Sequence, residues 1–125
     1  MNGALASSRL CESDIDYVNL HGTATPMNDI SEDQGLMKVF TSRPTCSSTK
    51  GFTGHTLGAA GIVDAVLSCI AITDHYVPPN LNTHDLDERI QANILLQGKE
   101  QKLEYVMSNS FGFGGSNASL IFGAA

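Results

Sequence analysis

The chain has 125 residues, 42% of them hydrophobic and 16% charged, with a formal net charge of −6. That length is one domain's worth of chain with room for a real core. The acidic balance argues against a nucleic-acid binder, while a partner that docks on a local basic patch stays open.

Cys11, Cys46 and Cys69 are an odd number without a CxxC pair, which fits reduced thiols in a cytoplasmic protein. The opening MNGALASSRL lacks the charged-then-apolar order of a signal peptide. Gly3 to Leu10 reads as the end of a helix, and Glu12-Ser13-Asp14 as a polar turn. Ile15 to Leu20 reads as a short buried strand that runs into HGTATP, where Gly22, the threonines and Pro26 enforce a turn. His21 therefore falls at the C-terminal end of a strand, where open α/β sheets carry ligands. Asp29 to Phe40 reads as a helix capped by Asp29, with Glu32 and Asp33 as an acidic first turn. Leu36, Met37, Val39 and Phe40 give it one buried side.

Arg43-Pro44 breaks the chain, and Thr45 to Thr49 is a short β-rich stretch that leads into Lys50. Lys50 and His55 lie five residues apart on a Gly/Thr-rich loop. That loop feeds Leu57 to Ile72, a segment apolar on nearly all sides. It is too short for a membrane span and contains Asp64 and Ser68, so it reads as a helix buried between layers. A loop that enters such a helix favours developing negative charge and a neutral imidazole at His55. Asp64 inside it is expensive unless paired.

His75 to Asn82 is extended, because Pro78-Pro79 excludes helix. Thr83 to Gln97 is polar and carries little pattern. Leu103 to Asn109 and Ala118 to Phe122 read as strands joined by SFGFGGSN. His75 and His84 belong to no zinc-like spacing. The pattern predicts a mixed sheet of about four or five strands, with the apolar helix against one face.

Three blocks carry a resemblance: HGTAT at 21–25, STKGFTGH at 48–55 with GAAG behind it, and NSFGFGGSN at 109–117. In this order and spacing they closely resemble the C-terminal half of β-ketoacyl-acyl-carrier-protein synthases. These are the elongating condensing enzymes of fatty-acid and polyketide synthesis. The resemblance covers essentially the whole chain. It implies an α/β fold, one thiolase-like half, in which a mixed sheet is packed by helices and Leu57 to Ile72 is the buried apolar helix. On this reading residues 1–125 are one domain and the half with the nucleophilic Cys lies elsewhere. None of the three cysteines sits in a matching motif. Cys69 reads as a packing thiol, and the chain alone is expected to be inactive.

The resemblance also implies roles. His21 and His55 match the pair that hydrogen-bonds the thioester oxygen while malonyl-carrier protein loses CO2. Lys50 matches the active-site lysine. Glu32, eleven positions after His21, matches the acidic residue and is read as its charge partner, orienting His55. Thr23 and Thr25 match residues that hold a phosphopantetheine arm, with ordinary turn chemistry as the competing reading. Phe111, Gly112, Gly114 and Gly115 belong to the Gly-rich substrate loop. Phe113 matches its gating aromatic, whose backbone N–H serves an oxyanion hole, while Phe111 packs in the core.

Asn19, Asp64, Ser108 and Asn109 match a cation site found in some relatives, and their oxygens suit a hard monovalent or divalent ion. A hydrogen-bonded Asp64 without an ion is the alternative. No cofactor is required by the family chemistry. The implied partners are acyl carrier protein and a second copy of the full-length enzyme, with no nucleic acid and no membrane span. Two other readings stand beside this one. One is a non-catalytic subunit like the chain-length factors, which the retained His21, Lys50 and His55 disfavour. The other is a thiolase-like enzyme of another branch, which the HGTAT and TKGFTGH pair disfavours.

Overall fold

A computed structural model describes all residues, Met1–Ala125. Helix α1 spans Asn2–Ser8 and a single 3-10 turn spans Glu12–Asp14. Strand β1 (Tyr17–Asn19) is followed by α2 (Pro26–Val39), β2 (Thr45–Ser47) and the one-turn helix α3 (Lys50–Thr53). A 3-10 turn at Leu57–Ala59 opens into α4 (Ala60–Asp74). Strands β3 (Tyr76–Val77), β4 (Asn93–Ile94), β5 (Lys99–Glu100), β6 (Tyr105–Phe111) and β7 (Asn117–Gly123) complete the order, with a 3-10 turn at Phe113–Gly115 between the last two.

Five strands form one mixed sheet in the order β4-β2-β1-β6-β7, and β3 pairs with β5 separately. β1 is central and runs parallel to both neighbours, with Asn19 opposite Ser47 of β2 and Ser108 of β6. β7 returns antiparallel along β6. A parallel central strand is covered on both faces, so its side chains are buried whichever way they point. The strand period of two then sorts them. Val18 and Met107 join Leu5, Leu36 and Phe40 in a core with α1 and α2. Tyr17 and Val106 join Ala71, Ile72 and Leu103 in a second core on the α4 face.

Helix α2 begins three residues before the expected Asp29. Thr25 takes the N-cap position and Pro26 the first helical one, where a missing N–H costs nothing. This shift moves Glu32 and Asp33 out of the first turn and into a buried interior position.

Helix α4 also differs from expectation at its start. It begins at Ala60, and His55 follows the short α3 rather than opening a helix. Leu57–Asp74 is 18 residues long and apolar enough to pass for a membrane span. Its Asp64 and Ser68 are buried toward the sheet, so one side of the helix packs on the fold. Its opposite side is open: Ile62, Val66 and Ile70, at helical spacing, remain 63%, 51% and 48% exposed. Cys69 shares that open side, so it is not the packing thiol the sequence suggested. Cys46 is the buried one; its Sγ donates to the Pro44 carbonyl at 3.3 Å, and burial pushes the thiol up to about 12.

Candidate active site

The C-terminal ends of parallel β1, β2 and β6 lie on one edge of the sheet, and each feeds one part of the site. β1 delivers Leu20 and His21, β2 delivers Ser48 to Lys50, and β6 ends at Phe111. Cross-links fix the two turns to each other. The Leu20 N–H donates to the Ser47 carbonyl at 2.8 Å, and Ser48 Oγ donates to the Gly22 carbonyl at 3.0 Å. Gly22 has φ +41, and a Cβ there would lie 2.5 Å from that of Ser48, so only glycine fits.

His21 is buried and lies between two rings. Its centroid is 5.2 Å from His55, at 88°, and 5.6 Å from Phe111, at 66°. Phe111 therefore packs on the histidine, not in the core. Burial first, then the nearby Lys50 charge and His55, hold the His21 imidazole below its ordinary value. It is neutral at pH 7. Its Nδ1 is buried without a protein partner.

His55 is exposed. The Leu57 N–H donates to His55 Nδ1 at 3.1 Å, and Leu57 adopts φ 52 as the chain doubles back. A ring nitrogen that accepts a hydrogen bond carries no proton, so the His55 hydrogen sits on Nε2. A local N–H contact sets this tautomer.

Lys50 does not pair with Glu32. Its Nζ donates to Asp64 Oδ2 at 2.7 Å, with the two side chains 6% and 1% exposed. The buried carboxylate of α4 is thus the counter-charge of the lysine. Glu32 has a different task. Its Oε1 accepts the His21 N–H at 3.0 Å and Asn109 Nδ2 at 3.2 Å, and its Oε2 accepts the Gly22 N–H at 3.0 Å. Burial pushes this carboxyl above its ordinary value, against the pull of those three donors. Ser119 Oγ donates to Asn109 Oδ1 at 2.7 Å, which extends the chain of bonds to β7. The alternation along β6, which sends Asn109 to the face opposite Ser108, is the sequence signal for these bonds.

The same alternation sorts the four candidate cation ligands by face. Ser108 and Asn109 are neighbours on a strand, so their side chains leave opposite faces. Asn19 points toward α4, its Nδ2 donating to the Asp64 carbonyl at 3.1 Å, while Asn109 meets Glu32 on the α2 side. Asp64 Oδ2 is engaged by Lys50. Asn19 Oδ1 is a buried oxygen without a partner, and buried Ser108 stands opposite Asn19 in the strand pairing, on the same face of the sheet.

Thr23 and Thr25 share a hydrogen bond of 2.9 Å on the exposed turn, which is the turn chemistry weighed against substrate contact. Phe113 projects into solvent, 97% exposed, from a turn in which Gly114 and Gly115 take φ +80 and +87. The Gly112 N–H donates to the Ser116 carbonyl at 2.7 Å and closes that loop. A cavity of about 530 Å³ opens beside Lys50 and His55, bounded by Thr23, Glu32 and the segment 80–87.

The β-ketoacyl synthase C-terminal domain family matches residues 1–84. The chain is 46% identical to the 3-oxoacyl-[acyl-carrier-protein] synthase 1 of Haemophilus influenzae over 114 residues, 89% of this chain and 28% of that one. Among solved structures, a β-ketoacyl synthase from Burkholderia phymatum superposes with a TM-score of 0.96 at 37% identity, over 100% of this chain and 31% of the other. A ketosynthase from Xenorhabdus doucetiae, solved with its chain length factor, superposes with a TM-score of 0.93 at 42% identity, over 100% and 32%. The chain thus spans about a third of the length of these relatives. With the motif blocks gathered at one sheet edge and the fold matched throughout, the chain belongs to the β-ketoacyl synthase family and corresponds to its C-terminal, thiolase-like domain.

Proposed function

We propose that this chain supplies the decarboxylation side of a 3-oxoacyl-[acyl-carrier-protein] synthase, with the cysteine nucleophile contributed from outside it. The observation that carries the reading is the edge-to-face His21–His55 pair beside the buried Lys50–Asp64 ion pair. In the reaction, the malonyl thioester releases CO2 and its electron pair moves to the α-carbon and thioester oxygen. Two imidazole N–H groups donate to that oxygen, more strongly in the enolate than in the ground state. The α-carbon then attacks the acyl-cysteine carbonyl, the C–S bond breaks, and the thiolate leaves. The His55 Nε2 hydrogen is a donor fixed in advance by the Leu57 contact. Burial, with help from the Lys50 charge, holds His21 below its ordinary value, and Lys50 itself is paired with Asp64.

On this reading the backbone N–H of Phe113 belongs to the oxyanion hole beside the nucleophile, and the glycines around it allow the loop to move. Thr23 and Thr25 face the phosphopantetheine arm of an acyl carrier protein. The open side of α4 is the surface on which the nucleophile half packs, which agrees with its row of exposed aliphatic side chains. The protein is then cytoplasmic and dimeric in its full-length form, and this chain alone does not condense.

Measuring the two half-reactions separately in the full-length protein tests the assignment. His21→Ala and His55→Ala lower malonyl decarboxylation on the order of 100- to 1000-fold. Acyl transfer to cysteine falls much less. Equal loss of both half-reactions in the two variants overturns the division of labour. The related ketosynthase solved with a chain length factor keeps a second reading in view, a non-catalytic subunit. A full-length protein that neither decarboxylates malonyl thioester nor takes up an acyl group on cysteine would favour that reading.

A further inference from the structure

Asp33 is a second buried carboxylate on α2, and the decarboxylation reading gives it no task. It follows Glu32 directly, but one helical step turns it by about 100° toward a different neighbour. Its Oδ1 accepts two backbone N–H groups, from Gln91 at 2.9 Å and Ala92 at 2.7 Å. A buried carboxylate is stable only when so satisfied, and its bonds to N–H groups are about twice as strong as neutral ones.

Gln91 and Ala92 end the segment that precedes β4. That segment, from residue 80 onward, lines the cavity together with residues of α2, Lys50 and His55. Its first end is fastened to the lysine stretch. Asn80 Oδ1 accepts the Ser48 N–H at 2.7 Å, and Asn82 Nδ2 donates to the Gly51 carbonyl at 2.8 Å. A Cβ on Gly51 would lie 2.5 Å from the Leu81 carbonyl oxygen, so the contact is close. Between these ends the hydrogen bonds are local, such as the Ile90 N–H to the Asp87 carbonyl at 2.9 Å. The Asn80 N–H also donates to the Leu95 carbonyl at 2.7 Å, and β4 pairs with β2 from Asn93, so the sheet holds both ends of the segment and Asp33 ties it to α2.

We propose that Asp33 is a positioning residue that sets the width of this cavity, and with it the fit of a thioester-linked substrate, without touching the reacting atoms. The inference rests on the function proposed above. It also gives α2 two separate duties, with Glu32 holding the His21 turn and Asp33 the segment that ends at Ala92.

The test compares Asp33→Ala and Asp33→Asn with the wild type in the full-length protein. It reads amide hydrogen exchange and the kinetics of malonyl-carrier-protein decarboxylation. Asp33→Ala speeds exchange at Gln91 and Ala92 by at least about 10-fold and leaves the Val18 and Val106 amides unchanged. KM rises about 5- to 10-fold while kcat stays within about 2-fold. Asp33→Asn keeps an oxygen acceptor and recovers most of both effects. Unchanged exchange at Gln91 and Ala92, unchanged KM, or a fall in kcat as large as that in kcat/KM overturns the inference. If Asp33→Ala does not fold, Asp33→Asn decides alone: a smaller local rise in exchange with a smaller rise in KM supports it, and no change in either overturns it. A wild-type protein that leaves malonyl thioester intact overturns the proposed function and the substrate half of this inference. The exchange comparison then still decides whether Asp33 holds this segment.

Discussion

His21 and His55 meet edge to face, yet the stretches that carry them are built differently. The His21 turn is bonded on every side, with its own N–H and that of Gly22 on Glu32 and the Gly22 carbonyl on Ser48. His55 lies on an exposed stretch between a one-turn helix and a 3-10 turn, and its ring is oriented by a single contact two residues away. One histidine is placed by the core and the other by local chain geometry. The first therefore depends on the stability of the domain, while the second can be altered with little cost to folding. The lysine links the two regions: it stands at the start of the exposed stretch, but its charge is buried against Asp64 in α4.

The strongest way to break this contrast is at that link. Lys50→Ala leaves Asp64 charged, buried and unpaired, which costs about 3–5 kcal/mol in stability. Urea unfolding of the variant measures it, and Lys50→Met with Asp64→Leu regains most of the loss if the deficit comes from the lone charge. Next comes the anchor of the rigid turn. Glu32→Ala strands donors at His21, Gly22 and Asn109, at about 1–3 kcal/mol in total once water enters the space the carboxylate leaves. Faster amide exchange at His21 and Gly22, with little change in the Lys50–His55 stretch, is the expected signature. By contrast His55→Ala, for all its effect on rate, shifts the unfolding midpoint by an equivalent of about 0.5 kcal/mol or less. A loss as large as that of Glu32→Ala would show that the exposed stretch is part of the core after all.

The finest probe is the titration of His21, followed by NMR of its imidazole. Its folded value lies below the ordinary one. From about pH 6.5 down to that value the unfolded chain binds more protons, so stability falls as pH drops through this window. Lys50→Ala removes a positive neighbour and uncovers Asp64, whose charge acts in the opposite direction. Both changes move the His21 titration upward and narrow the window. An unchanged or lower value in that variant would mean that Lys50 does not set the field at His21.

The short buried stretch from Ile15 to Leu20, the turn chemistry of HGTATP and the apolar run from Leu57 were enough to place a strand, a turn and an apolar helix. The motif blocks were enough to choose His21, Lys50 and His55, because each block is contiguous and its local geometry follows from its own residues. The start of α2 is written in Thr25-Pro26, but the acidic residues further on imitate a first turn. Which carboxylate answers Lys50 was not legible. Glu32 and Asp64 are both buried, and sequence spacing does not say which lies nearer in space. Only the packing of α4 on β6 brings Asp64 to the lysine, and only the crossing of α2 over the sheet edge turns Glu32 to the His21 turn and Asp33 to Gln91. The exposure of Cys69 is tertiary for the same reason: the apolar face of α4 is uniform in composition, and what distinguishes its two sides is which one the sheet occupies. Local preference fixed the elements and the chemical groups, while long-range contacts, some linking residues more than 50 positions apart, decided which charges meet.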